Sequence, residues 1–200
     1  MSTEPMKFPT VTVQRKNGSE RFHNSGALIQ PTLSDFWRWG FSNVIDNTTR
    51  GVLAEFLVAS ALGIASGTRS LWDAYDLHLP SGLTIEVKSS AYLQAWGQTK
   101  LSEPLFSIRS ARAYDAATNA LARESKRHAD VYVFCLEKHQ DQNTLDPLDV
   151  SQWDFFVVRT QLINAHCGNQ KSISLKKLQK MAVEPSDYAS LQRTIEATTA

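Results

Sequence analysis

The chain has 200 residues, with 21 basic and 20 acidic side chains and a net charge of +1. That length suffices for one domain with a real core, and the near-neutral charge excludes a broad basic surface, so nucleic acid would have to be met in a local groove. The absence of any apolar run of about 18 residues excludes a transmembrane helix, and two cysteines are too few for a disulfide framework.

In chain order, residues 1–22 are polar apart from Val11 and Val13 and are expected to form a flexible tail or an edge strand. The first seven residues lack the apolar core of a signal peptide, so a reduced, cytoplasmic protein is expected. Residues 34–45 predict an aromatic-rich helix capped by Ser34. Its Phe36, Trp37 and Phe41 are expected to pack against the next helix rather than to stack on nucleic acid. Residues 47–63 predict a second helix, with Asn47 or Thr48 as cap and Gly63 as stop. From Val52 to Leu62 it is apolar nearly all round, so it should be buried. Glu55 is the only charge in that stretch, and a buried carboxylate needs a partner or a metal. A salt bridge to Arg50 or Arg69 would serve as well.

Two short apolar runs follow, 76–79 and 83–88, separated by Pro80, Ser81 and Gly82. A three-residue hairpin loop prefers Gly in its last, left-handed position, which Gly82 occupies. That loop pairs Leu79 with Leu83, and counting back sets Asp76 opposite Glu86. Alternation puts Asp76, His78, Thr84, Glu86 and Lys88 on one face and Leu77, Leu79, Ile85 and Val87 on the other. Two carboxylates facing each other across a ladder repel, and a divalent cation between them removes the conflict. Lys88 lies one pleat beyond Glu86, roughly 7 Å along the same face.

Downstream, Gln94 and Trp96 sit in a loop, where each has a substrate contact and ordinary packing as alternatives. Residues 104–108 predict a strand, and Ala-rich residues 110–128 predict a helix with Tyr114, Ala117 and Leu121 on its buried face. Its Arg112, Arg123, Lys126 and Arg127 form either a phosphate-tracking surface or a solvated one. Residues 129–136 are almost continuously apolar and should be a central strand covered on both faces. Residues 140–149 are a polar loop, 153–158 another buried strand and 160–165 a short helix. Residues 173–180 end in a small basic helix, 188–195 make the last helix, and 196–200 form a tail. Cys135 falls in a strand and Cys167 in a loop. No Ser-His-Asp set, glycine-rich phosphate loop or closely spaced Cys/His zinc set is visible.

Two acids and a lysine on one sheet face suit metal-assisted phosphodiester hydrolysis. Mg²⁺ prefers carboxylate oxygens and keeps several waters. It can orient a phosphate and make bound water easier to deprotonate. The lysine can hold the attacking water or stabilise the pentavalent phosphate. The bland counterpart is an ordinary hairpin with a solvated Glu-Lys pair, which predicts no metal binding.

Helix-borne Glu55, then Asp76, then Glu86-Val87-Lys88 on a strand resembles the PD-(D/E)xK nuclease superfamily, over roughly residues 48–108. The resemblance implies an α/β, restriction-endonuclease-like core in which helices flank a mixed central sheet of about four to five strands. It implies that Asp76, Glu86 and the Val87 carbonyl hold Mg²⁺ (or Mn²⁺), that Glu55 completes the site and that Lys88 is the catalytic lysine. Tyr75 stands where the family's pattern has proline. The expectation is a single domain over 1–200 acting as a Mg²⁺-dependent DNA endonuclease in restriction, phage defence, repair or mobile-element biology, as a homodimer or with a partner subunit. An RNA nuclease with the same centre and a non-catalytic nucleic-acid-binding or assembly subunit are the alternatives.

Overall fold

The computed structural model describes residues 8, 11–71, 73–115 and 118–199. The chain begins with a two-stranded antiparallel unit, β1 (Arg21–Asn24) and β2 (Ala27–Thr32), followed by helix α1 (Leu33–Phe41). Residues 11–20 carry no strand, and the tail expected to run to residue 22 gives way to β1 at Arg21. The cap of α1 is Thr32 rather than Ser34. The Asp35 N–H donates to the Thr32 hydroxyl and the Thr32 N–H to the Asp35 carboxylate, a reciprocal capping box. No residue of α1 is buried, and Trp39 is 85% exposed. The expected packing of Phe36, Trp37 and Phe41 against the next helix is therefore corrected: α1 rests on β2, and its aromatics face solvent.

Helix α2 (Asn47–Ala61) is capped by the Asp46 carboxylate, which accepts from the Thr48 N–H at 2.9 Å. It ends where Gly63 turns left-handed (φ +69°), with Gly63 N–H donating to the Ser60 carbonyl and Ile64 N–H to that of Ala59. This is a Schellman ending, and Gly is the residue that meets its left-handed position without a Cβ penalty.

The centre is a four-stranded mixed sheet in the order β3 (Leu77–His78), β4 (Thr84–Ala91), β8 (Val131–Glu137), β9 (Trp153–Arg159). β3 and β4 are antiparallel, β4 and β8 parallel, β8 and β9 antiparallel. Every residue of β8 is buried, as its apolar run requires. One sheet face (Ile85, Val87, Val131, Val133, Cys135, Phe155) packs on Ala54, Leu57 and Val58 of α2 and on Leu191 and Ile195 of α5 (Leu191–Thr199). The other face (Tyr132, Phe134, Leu136, Phe156, Val158) packs on Phe106 of β5 (Leu105–Ser107), Ile163 of α3 (Thr160–Cys167), Ile173 of β10 (Ser172–Ser174) and Leu178 of α4 (Leu175–Lys180). The molecule is thus α/β, with helices on both sides of a mixed sheet. Cys167 closes α3 as a buried residue, not a loop residue, and α5 takes in four of the five residues assigned to the C-terminal tail.

The main departure is at 110–128. In place of a helix, β6 (Ala111–Asp115) and β7 (Ala120–Lys126) form an antiparallel hairpin. Asn119 is left-handed (φ +55°), and Asp115 accepts from the Thr118 backbone N–H and hydroxyl. This local turn chemistry overrides the helical propensity of Ala and Arg, as Asp and Asn side chains do when they bond neighbouring backbone. Ala117, expected on the helix's buried face, lies outside the described residues.

Candidate functional site

The β3–β4 hairpin has the register read from the letters. Leu77 faces Ile85, His78 faces Thr84, and the Leu79 N–H donates to the Leu83 carbonyl at 2.9 Å. Gly82 closes the loop at φ +92°. The pairing begins at Leu77, so Asp76 lies just before β3 rather than paired with Glu86, and its N–H donates to the Ile85 carbonyl at 3.0 Å.

Asp76, Glu86 and Lys88 are brought together. The Lys88 ammonium stands 2.5 Å from Glu86 Oε1 and 3.5 Å from Asp76 Oδ2. The Val87 N–H donates to Asp76 Oδ2 at 2.7 Å. In a strand the N–H and C=O of one residue point to the same edge, so the Val87 carbonyl also faces the Asp76 side. Glu86 and Lys88 project from the sheet face that carries Tyr132 and Phe134, their neighbours across the parallel ladder.

Burial raises Glu86 above its ordinary 4.5, the charges of Asp76 and Glu55 add to the effect, and Lys88 opposes it. Burial alone would depress Lys88, but Asp76 and Glu86 outweigh it, and the ammonium is held above its ordinary range. Burial and the neighbouring Glu86 charge likewise push the Tyr132 hydroxyl up. Lys88 puts its positive charge beside both carboxylates.

A raised carboxylate has a definite sign in stability. The folded chain keeps the Glu86 proton at a pH where the unfolded chain has released it. Its stabilising contribution is therefore full below pH 4.5 and is lost as pH rises through the folded value. In EDTA, Glu86→Gln is expected to melt above wild type at neutral pH, with the gap closing as pH falls towards 4.5. A gap independent of pH would show that Glu86 titrates normally.

Glu55 is held by Arg69. The Arg69 Nη2 donates to Glu55 Oε1 at 2.7 Å, and Nε donates to the other oxygen. Arg69 is raised first by this hydrogen bond and further by the Glu55 and Asp76 charges. Glu55, Arg69, Asp76, His78 and Arg15 line one groove of about 520 Å³ beside the hairpin. Glu55 is thus at the same groove as Asp76, but turned towards Arg69. The other partner considered for it, Arg50, is buried elsewhere, donating to the Ile45 carbonyl and Asn47 Oδ1. His78 shares the groove and packs its ring on Tyr75.

Among the described residues no three His, Cys, Asp or Glu side chains are gathered into a ready-made cage. Two carboxylates and a carbonyl still suit Mg²⁺, which is held by one or two carboxylates plus waters and substrate phosphate rather than by an all-protein cage. The donor set therefore fits. Two residues enter the site that the sequence did not assign to it. From the letters Arg69 is only a salt-bridge partner for Glu55, and Tyr132 becomes a neighbour of Glu86 through a parallel pairing that no local pattern encodes. Gln94 lies at a separate cleft with Asn43 and Gln142, and its buried Oε1 has no hydrogen-bond partner among the described residues.

A family model described as bacteriophage T4 endonuclease IV matches residues 39–177. That span includes α2, the β3–β4 hairpin, β8, β9 and every residue of the candidate centre. No curated protein matches the chain.

Proposed function

Given that the chain belongs to the bacteriophage T4 endonuclease IV family and is a nuclease, we propose that it is a Mg²⁺-dependent DNA endonuclease of the PD-(D/E)xK type. The observation that carries the centre is the convergence of Asp76, Glu86 and Lys88 on one sheet face, with Lys88 bridging the two carboxylates. The mixed four-stranded sheet flanked by helices supports a restriction-endonuclease-like core. Asp76, Glu86 and the Val87 carbonyl would hold the cation, with Glu55 available on release from Arg69. When bound, the cation offsets charge on the scissile phosphate and acidifies water, and Mn²⁺ can take its place.

Lys88 acts by its charge and its three donors. Its ammonium, released from Glu86, holds the attacking water in line and stabilises charge developing on the phosphate oxygens. Asp76 also fixes the middle of β4 through the Val87 N–H, so the carboxylates keep their spacing. Arg69, in the same groove, is placed to meet a neighbouring phosphate. The buried thiols of Cys135 and Cys167, unlinked to each other, are consistent with a reducing, cytoplasmic setting. Among the described residues no helix is long and apolar enough to cross a membrane.

The test is incubation with supercoiled plasmid and Mg²⁺ or Mn²⁺, with EDTA and Glu86→Ala as controls. Nicking that is lost in both controls is the expected result. Cleavage of RNA alone would move the substrate, and cleavage that survives both controls would refute this centre.

A further inference from the structure

The β6–β7 hairpin has a composition that its own packing does not explain. Every residue of β7 is exposed, as is Arg112 in β6, and Leu121 is 56% exposed. A lone two-stranded hairpin in water is marginal. Its charges are sorted by face. The pairs Arg112–Ser125 and Tyr114–Leu121 set these four residues on one side, and alternation along β7 puts Arg123 with them across a shift of register between the two pairs; the Arg112 guanidinium also donates to the Ala122 carbonyl. Glu124 lies on the opposite side with Ala120, Ala122 and Lys126. Two arginines therefore share a face that carries no acid, and like charges that close on one ladder face are unfavourable without a counter-charge.

The root of the hairpin is fixed to the body. Buried Arg127 donates to the carbonyls of Ile108, Gly168 and Gln170 and to Asn164 Oδ1. Tyr132, five residues beyond Arg127, pairs with Glu86 across the parallel β4–β8 ladder. The arm thus springs from beside the carboxylate centre.

We propose that the Arg112–Tyr114–Arg123 face of this hairpin is a docking surface for the phosphate backbone of the DNA substrate. It rests on the nuclease reading for the identity of its ligand. Arginine presents a rigid fork of donors that matches phosphate, and a tyrosine between two arginines offers a ring to a sugar or base. Phosphate contacts position a strand without reading its sequence, so the arm supplies affinity and register to the neighbouring centre.

The experiment uses the full chain with Arg112→Gln and Arg123→Gln combined. Binding of a fluorescent DNA oligonucleotide is followed by anisotropy in EDTA across a salt series, and plasmid nicking is assayed separately in Mg²⁺. The expected result is affinity weaker by about tenfold or more and a log–log salt slope shallower by about 1.4 to 1.8. Glu124→Gln, on the other face, should change affinity by less than about twofold. Thermal melting should be unchanged, because both arginines are exposed. An unaltered affinity and slope in a protein that still nicks plasmid would overturn the docking face and leave the nuclease intact. A change in oligomeric mass with unaltered DNA affinity would also overturn it, in favour of a contact between copies. Loss of affinity in the double variant, with a wild-type protein that binds DNA but never cleaves it, would keep the docking face and sink the nuclease reading instead.

Discussion

Lys88→Ala is expected to lower the cleavage rate by about 10²- to 10³-fold, the usual cost of removing a donor aimed at developing charge. The protein should stay folded, because Lys88 is partly exposed and its two partners can be solvated once the ammonium is gone. The effect should fall on kcat rather than KM, since the lysine is occupied by Glu86 until substrate and cation take over the carboxylates. Cation binding should be retained or tightened in this variant, because the competing ammonium has been removed. Calorimetry with Mn²⁺ beside single-turnover cleavage makes both measurements. Full activity in Lys88→Ala would take the lysine out of the chemistry and reduce it to a counter-ion for Asp76 and Glu86.

Arg127→Met is expected to destabilise the fold by about 3 kcal/mol or more. Arg127 is 8% exposed, and its guanidinium donates to four acceptors spread over β5's exit, α3 and the loop after it. Hydrogen bonds from a charged donor contribute about 1.5–3 kcal/mol each, and truncation strands the buried Ile108 carbonyl together with three part-buried acceptors. For a chain of this size the loss corresponds to a melting temperature lower by roughly 6–12 °C. Chemical denaturation of the variant settles it: a change below about 1 kcal/mol would mean that water replaces the guanidinium without cost. The variant should also blur the root of the β6–β7 arm, and so weaken DNA binding more than Arg123→Gln alone.

The difference between these residues shows what each level of description holds. The site hairpin was legible because it is local. Gly82 in a three-residue loop fixes one register, and that register puts Glu86 and Lys88 on one face; Asp76, just before β3, reaches them through its side chain. The ends of α2 were close to their letters, since Gly63 ends it and the cap is one residue earlier than Asn47. β8 and β9 were legible from continuous apolar runs, which only a doubly covered sheet can bury.

The aromatic helix was misplaced because amphipathic composition says that a face is apolar, not that another element is there to cover it. The span 110–128 was misread because Ala and Arg favour helix over many residues. A single turn around Asp115, Thr118 and Asn119 then reversed the outcome through side-chain bonds to backbone.

By itself, then, the sequence determined the α/β class, the buried strands and the carboxylate–lysine hairpin, all of which depend on alternation, loop length and short-range capping. Only the tertiary structure decided that Glu55 meets Arg69, that Tyr132 stands beside Glu86 and that Arg127 clamps the arm to α3. Each of those pairs residues 14 to 46 positions apart. Such contacts are selected by the joint packing of two sheet faces, and no periodicity along the chain encodes them.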